Sequence, residues 1–192
     1  PDATCVLICS EQGREKLTEQ VEAQLKFSHR VIAFDPFYYG ESKIPKRDFL
    51  YGLLVAATGE RNLGVQASQI AALARWVKTD RPESQVQILA VGPRTSLAAL
   101  TASAVDRKSI DSLVLHDSYG SLREVIEQDI AVNQAPELFA FGLLKESDIA
   151  GLLLSSGADS VRFVGNAEKV KQSLKAILET KERSGPKEIV VE

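Results

Sequence analysis

The sequence is poor in the residues that disulfide-stabilised and metal-binding proteins use. Its 192 residues include two cysteines, two histidines, one tryptophan and no methionine. Cys5 and Cys9 share one face of a predicted strand, roughly 13 Å apart at the usual strand rise, so they cannot form a disulfide with each other. Two cysteines without a cysteine–histidine cluster argue against structural zinc. We expect both to be small buried apolar side chains.

The charge and hydropathy of the chain do not favour nucleic acid or membrane as a partner. The formal net charge is −3, which gives no general attraction to nucleic acid or to anionic lipid. No apolar run is long enough to span a bilayer, so we expect a soluble domain. The 44% hydrophobic and 26% charged residues are ordinary for a globular protein.

The start of the chain suggests a piece of a longer protein. It begins at Pro1-Asp2 without an initiator methionine, and a predicted strand already starts at Thr4. We interpret residues 1–192 as a single domain and a fragment, with residues missing from the sequence as the alternative. The expected partners are then other domains of the parent chain. The lack of a signal peptide leaves the compartment open, including a secreted or periplasmic parent protein.

Short apolar runs alternate with amphipathic helical segments along the whole chain. Their near-continuous apolarity is typical of parallel strands that are covered on both faces. Because each crossover is right-handed, six such strands predict an α/β fold with a doubly wound, mostly parallel sheet and helices on both faces. The predicted strands are Thr4–Cys9, Arg30–Asp35, Val86–Val91, Ser112–Asp117, Ser160–Gly165 and Glu188–Glu192.

Two connections are longer than one crossover helix requires. Residues 41–85 are expected to hold two helices, and residues 118–159 several short helical segments, including the apolar stretch at 136–141. Ligands of open α/β sheets bind beyond the carboxyl ends of the strands, so the second connection is a candidate lid or pocket wall. That it simply covers the sheet edge is an equal alternative.

Three strand ends carry motifs in a recognisable order. Residues 35–42 (DPFYYGES) close the second strand, residues 92–96 (GPRTS) join the third strand to a helix predicted from Leu97, and residues 165–168 (GNAE) follow the fifth. These resemble the D-x-x-x-x-G-x-S turn, the G-x-S-x-G nucleophile elbow and the G-x-x-D acid turn of the α/β-hydrolase superfamily. The segments ERNLGVQASQIAALARW and NQAPE look most like bacterial acetyl-xylan-esterase and dienelactone-hydrolase relatives. The six strands would then be the third to eighth of the hydrolase sheet.

The resemblance implies a serine nucleophile at the position that Arg94 occupies. A guanidinium stays protonated and cannot attack an acyl carbon. The neighbouring hydroxyls of Thr95 and Ser96 are expected to cap the following helix. Pro93 removes one N–H from the turn, and Ser96 stands where the elbow has its second glycine.

The other catalytic positions are also incomplete. His29 precedes its strand at the wrong end of the sheet, and the resemblance places the catalytic histidine after the last strand, where the chain stops. His116, followed by Asp117, is a candidate substitute base, although a structural role is favoured. Glu168 is the candidate acid, which starts a helix, with Asn166 as its cap. The segment at residues 10–14 has one glycine, Gly13, which at a helix start could still donate an N–H to a substrate, but the segment makes a poor oxyanion loop.

Three hypotheses follow from these residues. The first is a catalytically degenerate hydrolase-like domain that serves as a structural or interaction module of a larger esterase-related protein. The second is an anion- or carbohydrate-binding domain that uses Arg94, Thr95 and Ser96, with internal pairing of Arg94 to Asp117 or Glu41 as the alternative. The third is an esterase completed by residues outside this chain. No strand-to-helix turn carries G-x-G-x-x-G, so no nucleotide cofactor, and no metal, is expected.

Overall fold

Six parallel strands form one sheet in the order β2-β1-β3-β4-β5-β6 within the residues that the structure describes. This computed structural model describes residues 4–27, 29–44, 50–140, 142–179 and 184–192. Pro1-Asp2 and the last residue of the apolar stretch at 136–141 lie outside those ranges. The strands are β1 (Cys5–Ser10), β2 (Arg30–Ala33), β3 (Val86–Val91), β4 (Ser112–His116), β5 (Ser160–Val164) and β6 (Glu188–Val191).

The predicted strands are all confirmed, and β3 has the predicted bounds. In the described parts of the long connections lie the expected helices, two α-helices in the first and three short ones in the second. None of the described helices has the length and apolarity needed to cross a membrane. The helices are α1 (Thr18–Lys26), α2 (Tyr51–Ala57), α3 (Asn62–Asp80), α4 (Pro93–Val105), α5 (Arg123–Glu127), α6 (Leu143–Glu146), α7 (Asp148–Ser155) and α8 (Ala167–Leu178).

The strand order places the topological switch point between β1 and β3. From β1 the chain adds β2 on one side of the sheet, and then returns to add β3 to β6 on the other. The two strands pair in parallel from Cys5↔Val86 to Ser10↔Val91, so the residues that follow Ser10 and Val91 meet at one edge. Ligands of open parallel sheets bind at such a point. This edge is therefore where the candidate site is expected.

Helices cover both faces of the sheet, but unequally. The larger core packs α3, α4, α7 and α8 against one face, around residues such as Leu7, Ile88 and Phe163. On the other face, Leu17, the N-cap residue of α1, and Val21 within α1 pack on a smaller cluster around Ile8. Beyond α1, the same face of β4 and β5 borders an open groove.

The two cysteines behave as predicted. Cys5 and Cys9 are free thiols buried in the large core. Burial raises the pKa of the Cys9 thiol to about 12, so this side chain is a neutral thiol at neutral pH.

The chain after α7 passes very close to the loop that follows α4. The Gly157 N–H donates a hydrogen bond to the Ser103 carbonyl at 3.0 Å. A Cβ on Gly157 would lie 2.2 Å from the Cα of Arg107, which is backbone and cannot rotate away. Glycine is required here by space.

We expect Gly157→Ala to lower the free energy of unfolding by about 2–3 kcal/mol, because the backbone must shift to admit a methyl group. Gly64→Ala, within α3, is the matched control. The nearest atom to a Cβ at Gly64 would be Arg61 Cβ, at 3.8 Å, which is an ordinary contact. The control should gain about 0.5–1 kcal/mol from helix propensity. Urea unfolding measures both, and unchanged stability in Gly157→Ala would contradict the close contact.

Candidate functional site

The turn after β3 differs from the prediction in where α4 begins. The helix begins at Pro93 rather than Leu97, and Gly92, with φ +104°, is its N-cap residue. Proline is favoured at the first helical position because its φ suits the helix and it needs no N–H there. Arg94 therefore lies in the first turn of the helix, and Gly92 makes the sharp strand-to-helix turn.

A carboxylate occupies the amino end of α4. Glu11 follows β1, and its Oε1 accepts a short hydrogen bond from the Arg94 backbone N–H. A Cβ on Gly92 would lie 2.6–2.7 Å from atoms of the Glu11 side chain, so another residue at 92 would require that side chain to move. Burial raises the pKa of Glu11, against the opposing effect of its hydrogen bond to Arg94 and of the Arg94 charge. Glu11 supplies the negative charge that a helix amino end favours.

The backbone N–H of Gly13, in the loop after β1, is already hydrogen-bonded within the protein. That residue precedes a short 3-10 turn at Arg14–Lys16, as its predicted place at a helix start required. Its N–H donates to the Ser10 carbonyl at 3.1 Å. The prediction that Gly13 could still offer a donor to a substrate is therefore wrong in this geometry.

The guanidinium of Arg94 forms a buried ion pair with Glu137. Arg94 Nε donates a short hydrogen bond to Glu137 Oε1, and the Glu137 residue is 1% exposed. The guanidinium carbon also lies 5.0 Å from the centre of the Tyr39 ring. Burial acts to lower the pKa of Arg94, but the hydrogen bond and charge of Glu137 outweigh it and raise that pKa. Burial, and then the Glu137 charge, raise the pKa of Tyr39 well above its usual value.

The partner of Arg94 is not one that the sequence suggested. Internal pairing is confirmed, but Glu41 binds Arg14 at 2.7 Å instead, and Asp117 is exposed. Glu137 was missed because a carboxylate inside an apolar stretch is ordinarily assigned to solvent. Its isolation between Pro136 and Leu138 was the available signal, because a buried charge needs a buried partner.

The hydroxyls of Thr95 and Ser96 do not cap the helix. Thr95 Oγ1 donates to the Val91 carbonyl at 2.8 Å, and Ser96 Oγ donates to the His116 carbonyl at 3.1 Å. Both residues are fully buried. The capping prediction is wrong because Glu11 already accepts from the amino end of α4. The two hydroxyls instead tie α4 to β3 and β4.

The two histidines do not reach the ion pair. His116 ends β4, and like Val114 two residues before it, its side chain faces the groove on the α1 side of the sheet. Burial lowers the pKa of His116, with the Asp117 charge acting in the opposite direction. His29 lines the same groove, and its Nδ1 lies 3.0 Å from Gln24 Oε1. Neither histidine is therefore placed to act as a base at the β1–β3 edge.

Glu168 and Asn166 also lie away from Arg94. Glu168 is exposed in the first turn of α8, where it borders a surface depression with Lys171 and Lys175. Asn166 is the N-cap residue, as predicted, but with φ 49° its side chain forms no capping hydrogen bond. Over the described ranges, no group of three His, Cys, Asp or Glu side chains is close enough to bind a metal ion.

The long second connection does form a wall beside the site. Pro136 begins a 3-10 turn that ends at Leu138, and Glu137 in that turn holds Arg94. The same turn and Phe139 and Ala140 line a cavity. Farther along, Leu152 and Leu153 of α7 are buried in the large core. The connection thus combines the two predicted roles, pocket wall and cover for the sheet.

Comparison with solved structures gives the same fold. A Bacteroides fragilis protein assigned as an acetyl xylan esterase superposes with a TM-score of 0.70 at 13% identity, over 100% of this chain and 59% of that one. Acetyl xylan esterase 1 from Thermoanaerobacterium sp. gives 0.64 at 15% identity, over 100% and 68%. E-2-(acetamidomethylene)succinate hydrolase gives 0.58 at 14%, over 100% and 83%. No family model and no curated protein sequence matches the chain.

The chain therefore has an α/β-hydrolase fold that resembles acetyl xylan esterases and a protein assigned as a dienelactone hydrolase. The predicted resemblance and fold class are confirmed. At 13–15% identity the likeness establishes the fold alone. The chain spans 59% of the length of the Bacteroides fragilis protein, so what it does is a separate question.

Removing one member of the ion pair should be far more costly than removing both. Arg94→Met leaves the Glu137 carboxylate buried without its counter-charge and should cost about 3–5 kcal/mol of unfolding free energy. Arg94→Met/Glu137→Leu should recover most of that loss, because two apolar side chains of similar size need no hydration. Chemical denaturation of the two singles and the double gives the coupling. Additive losses would contradict a paired, buried Arg94.

Proposed function

We propose that this domain is a catalytically degenerate α/β-hydrolase-like domain, acting as a structural or interaction module of a larger esterase-related protein. The observation that carries the proposal is the internal ion pair at the β1–β3 edge. Arg94 and Glu137 bind each other there, and Glu11 binds the amino end of α4. The groups that would meet a substrate are engaged with one another.

The turn offers no nucleophile on either assignment of its residues. In α/β-hydrolases the nucleophile sits at the sharp strand-to-helix turn. If Arg94 holds that position, its guanidinium cannot attack. If Gly92 holds it, as its φ of +104° and its place before α4 favour, there is no side chain at all.

The turn also does not supply the backbone N–H donors that stabilise an oxyanion in esterases. One donor in these enzymes is the backbone N–H of the residue after the nucleophile. After Gly92 that residue is Pro93, which has no N–H. The next N–H, of Arg94, already donates to Glu11. A carboxylate at this point would repel a developing oxyanion rather than stabilise it.

A general base is the third missing part. His116 is the only histidine at the carboxyl end of a strand, and its ring faces the groove on the opposite side of the sheet. Loss of the nucleophile or of the base removes most of the rate enhancement of a serine hydrolase, by several orders of magnitude. Losing both leaves no covalent route.

The alternatives gain no specific support from the site. An anion or sugar at Arg94 must displace Glu137 from the guanidinium and compete with Glu11 at the helix amino end. An esterase completed from outside the chain needs a nucleophile as well as a histidine. The first alternative is excluded if the melting-temperature shifts caused by a panel of anions are the same in Arg94→Ala as in the unmodified chain.

Hydrolysis of p-nitrophenyl acetate tests the proposal. We expect the purified domain to show no saturable turnover above that of its Arg94→Ala and Ser96→Ala variants. Gly92→Ser/Glu11→Ala, which returns a hydroxyl to the turn and clears the space for it, should stay at the same background because no base faces it. Saturable turnover that a single substitution abolishes would overturn the proposal.

A further inference from the structure

Helix α2 is apolar along its whole length but is only partly covered by the rest of the domain. Its sequence is YGLLVAA, and Tyr51 is its one buried residue. Leu53 and Leu54 are 65% and 64% exposed. A helix that is apolar on all sides is normally buried, and large apolar side chains exposed together mark a binding surface. The composition of α2 therefore indicates that this helix contacts an apolar partner.

The first two residues of α2 hold the helix on the body of the domain. The Tyr51 ring stacks on that of Tyr38 with centres 3.9 Å apart, and the Phe37 ring centre lies 5.4 Å from it. A Cβ on Gly52 would lie 3.0 Å from Pro136 Cβ, so the helix backbone passes close to that proline. The next turn of α2 instead borders a cavity.

This cavity, of about 150 Å³, lies between α2, the start of α3 and residues 136–140. Val132 at its wall is 49% exposed, so the cavity opens to solvent. Apolar cavities of about this volume accept a molecule the size of benzene. The wall is mostly apolar, and its lining side chains include Leu53, Ala56, Leu63, Val132, Phe139 and Ala140.

The polar side chains in the wall face away from the cavity or into solvent. The Glu137 carboxylate is buried and paired with Arg94. Asn62 is buried too, and its Oδ1 has less than 1 Å² of accessible surface. Glu60 and Arg61 are exposed, with charges of opposite sign, so together they favour neither an anionic nor a cationic ligand. What the wall offers a ligand is therefore apolar contact.

We propose that this cavity binds an uncharged hydrocarbon group about the size of a benzene ring. Such a group replaces water beside Leu53 and Leu63, which is favourable in proportion to the apolar area covered. A polar group in its place would lose its hydration against an apolar wall without an equivalent hydrogen bond. The proposal does not depend on whether the domain is an enzyme, because Glu11, Gly92 and Arg94 do not line the cavity.

Toluene and phenol test the proposal because they have the same shape and differ in one hydroxyl group. We expect toluene to bind with a Kd of about 1 mM or below. Phenol should bind about fivefold or more weakly, because its hydroxyl is better solvated in water than against the wall. Titration of the isotope-labelled chain, followed by amide chemical shifts, measures both affinities. The shifts should centre on Gly52, Leu63 and Ala140, which line the cavity.

Ala56→Phe and Ala57→Phe form a matched pair, since both alanines are exposed on α2. Ala56 lines the cavity and Ala57 does not. Ala56→Phe should therefore weaken toluene binding about tenfold or more, and Ala57→Phe should leave it unchanged. The proposal is overturned if toluene shifts no amide around the cavity, if phenol binds as tightly as toluene, or if the two variants bind toluene equally.

Discussion

The interaction on which the site depends is the buried ion pair of Arg94 and Glu137. Two charges removed from water are tolerable only when each neutralises the other, so each member fixes the position of the other. Arg94 belongs to the first turn of α4 and Glu137 to the turn that begins at Pro136. The pair therefore fastens the long connection after β4 to the edge of the sheet. Tyr39 packs against the guanidinium and extends the contact to the loop after β2.

Glu11 and Gly92 complete this arrangement at the topological switch point. The Glu11 side chain takes the space that a Cβ at 92 would need, and its carboxylate satisfies the amino end of α4. The place where open α/β sheets bind ligands is thus filled by the protein's own charges. An apolar cavity lies next to this arrangement, between α2, the start of α3 and residues 136–140, with Glu137 in its wall.

The sheet could be predicted from sequence because each strand is a continuous apolar run and right-handed crossovers leave few strand orders. The start of α4 could not be predicted from sequence, because Thr95 and Ser96 are residue types that usually cap a helix. Glu11, 83 residues away in the chain, accepts the hydrogen bond from the amino end of α4 instead. Glu137 lies 43 residues from Arg94. Charge pairing over such separations depends on tertiary geometry, which periodicity does not record. The absence of a serine from residues 92–95 is visible in the sequence, whereas the pairing of charges at this edge is not.

The central claim is that no side chain at this site can act as an acyl-accepting nucleophile. Intact-mass spectrometry of the chain after prolonged exposure to an alkyl fluorophosphonate tests it most directly, because such reagents phosphonylate activated serine and threonine hydroxyls. We predict an unmodified mass at a reagent excess that fully labels a serine esterase measured in parallel. A stoichiometric single adduct mapped to a residue at the β1–β3 edge would contradict the account.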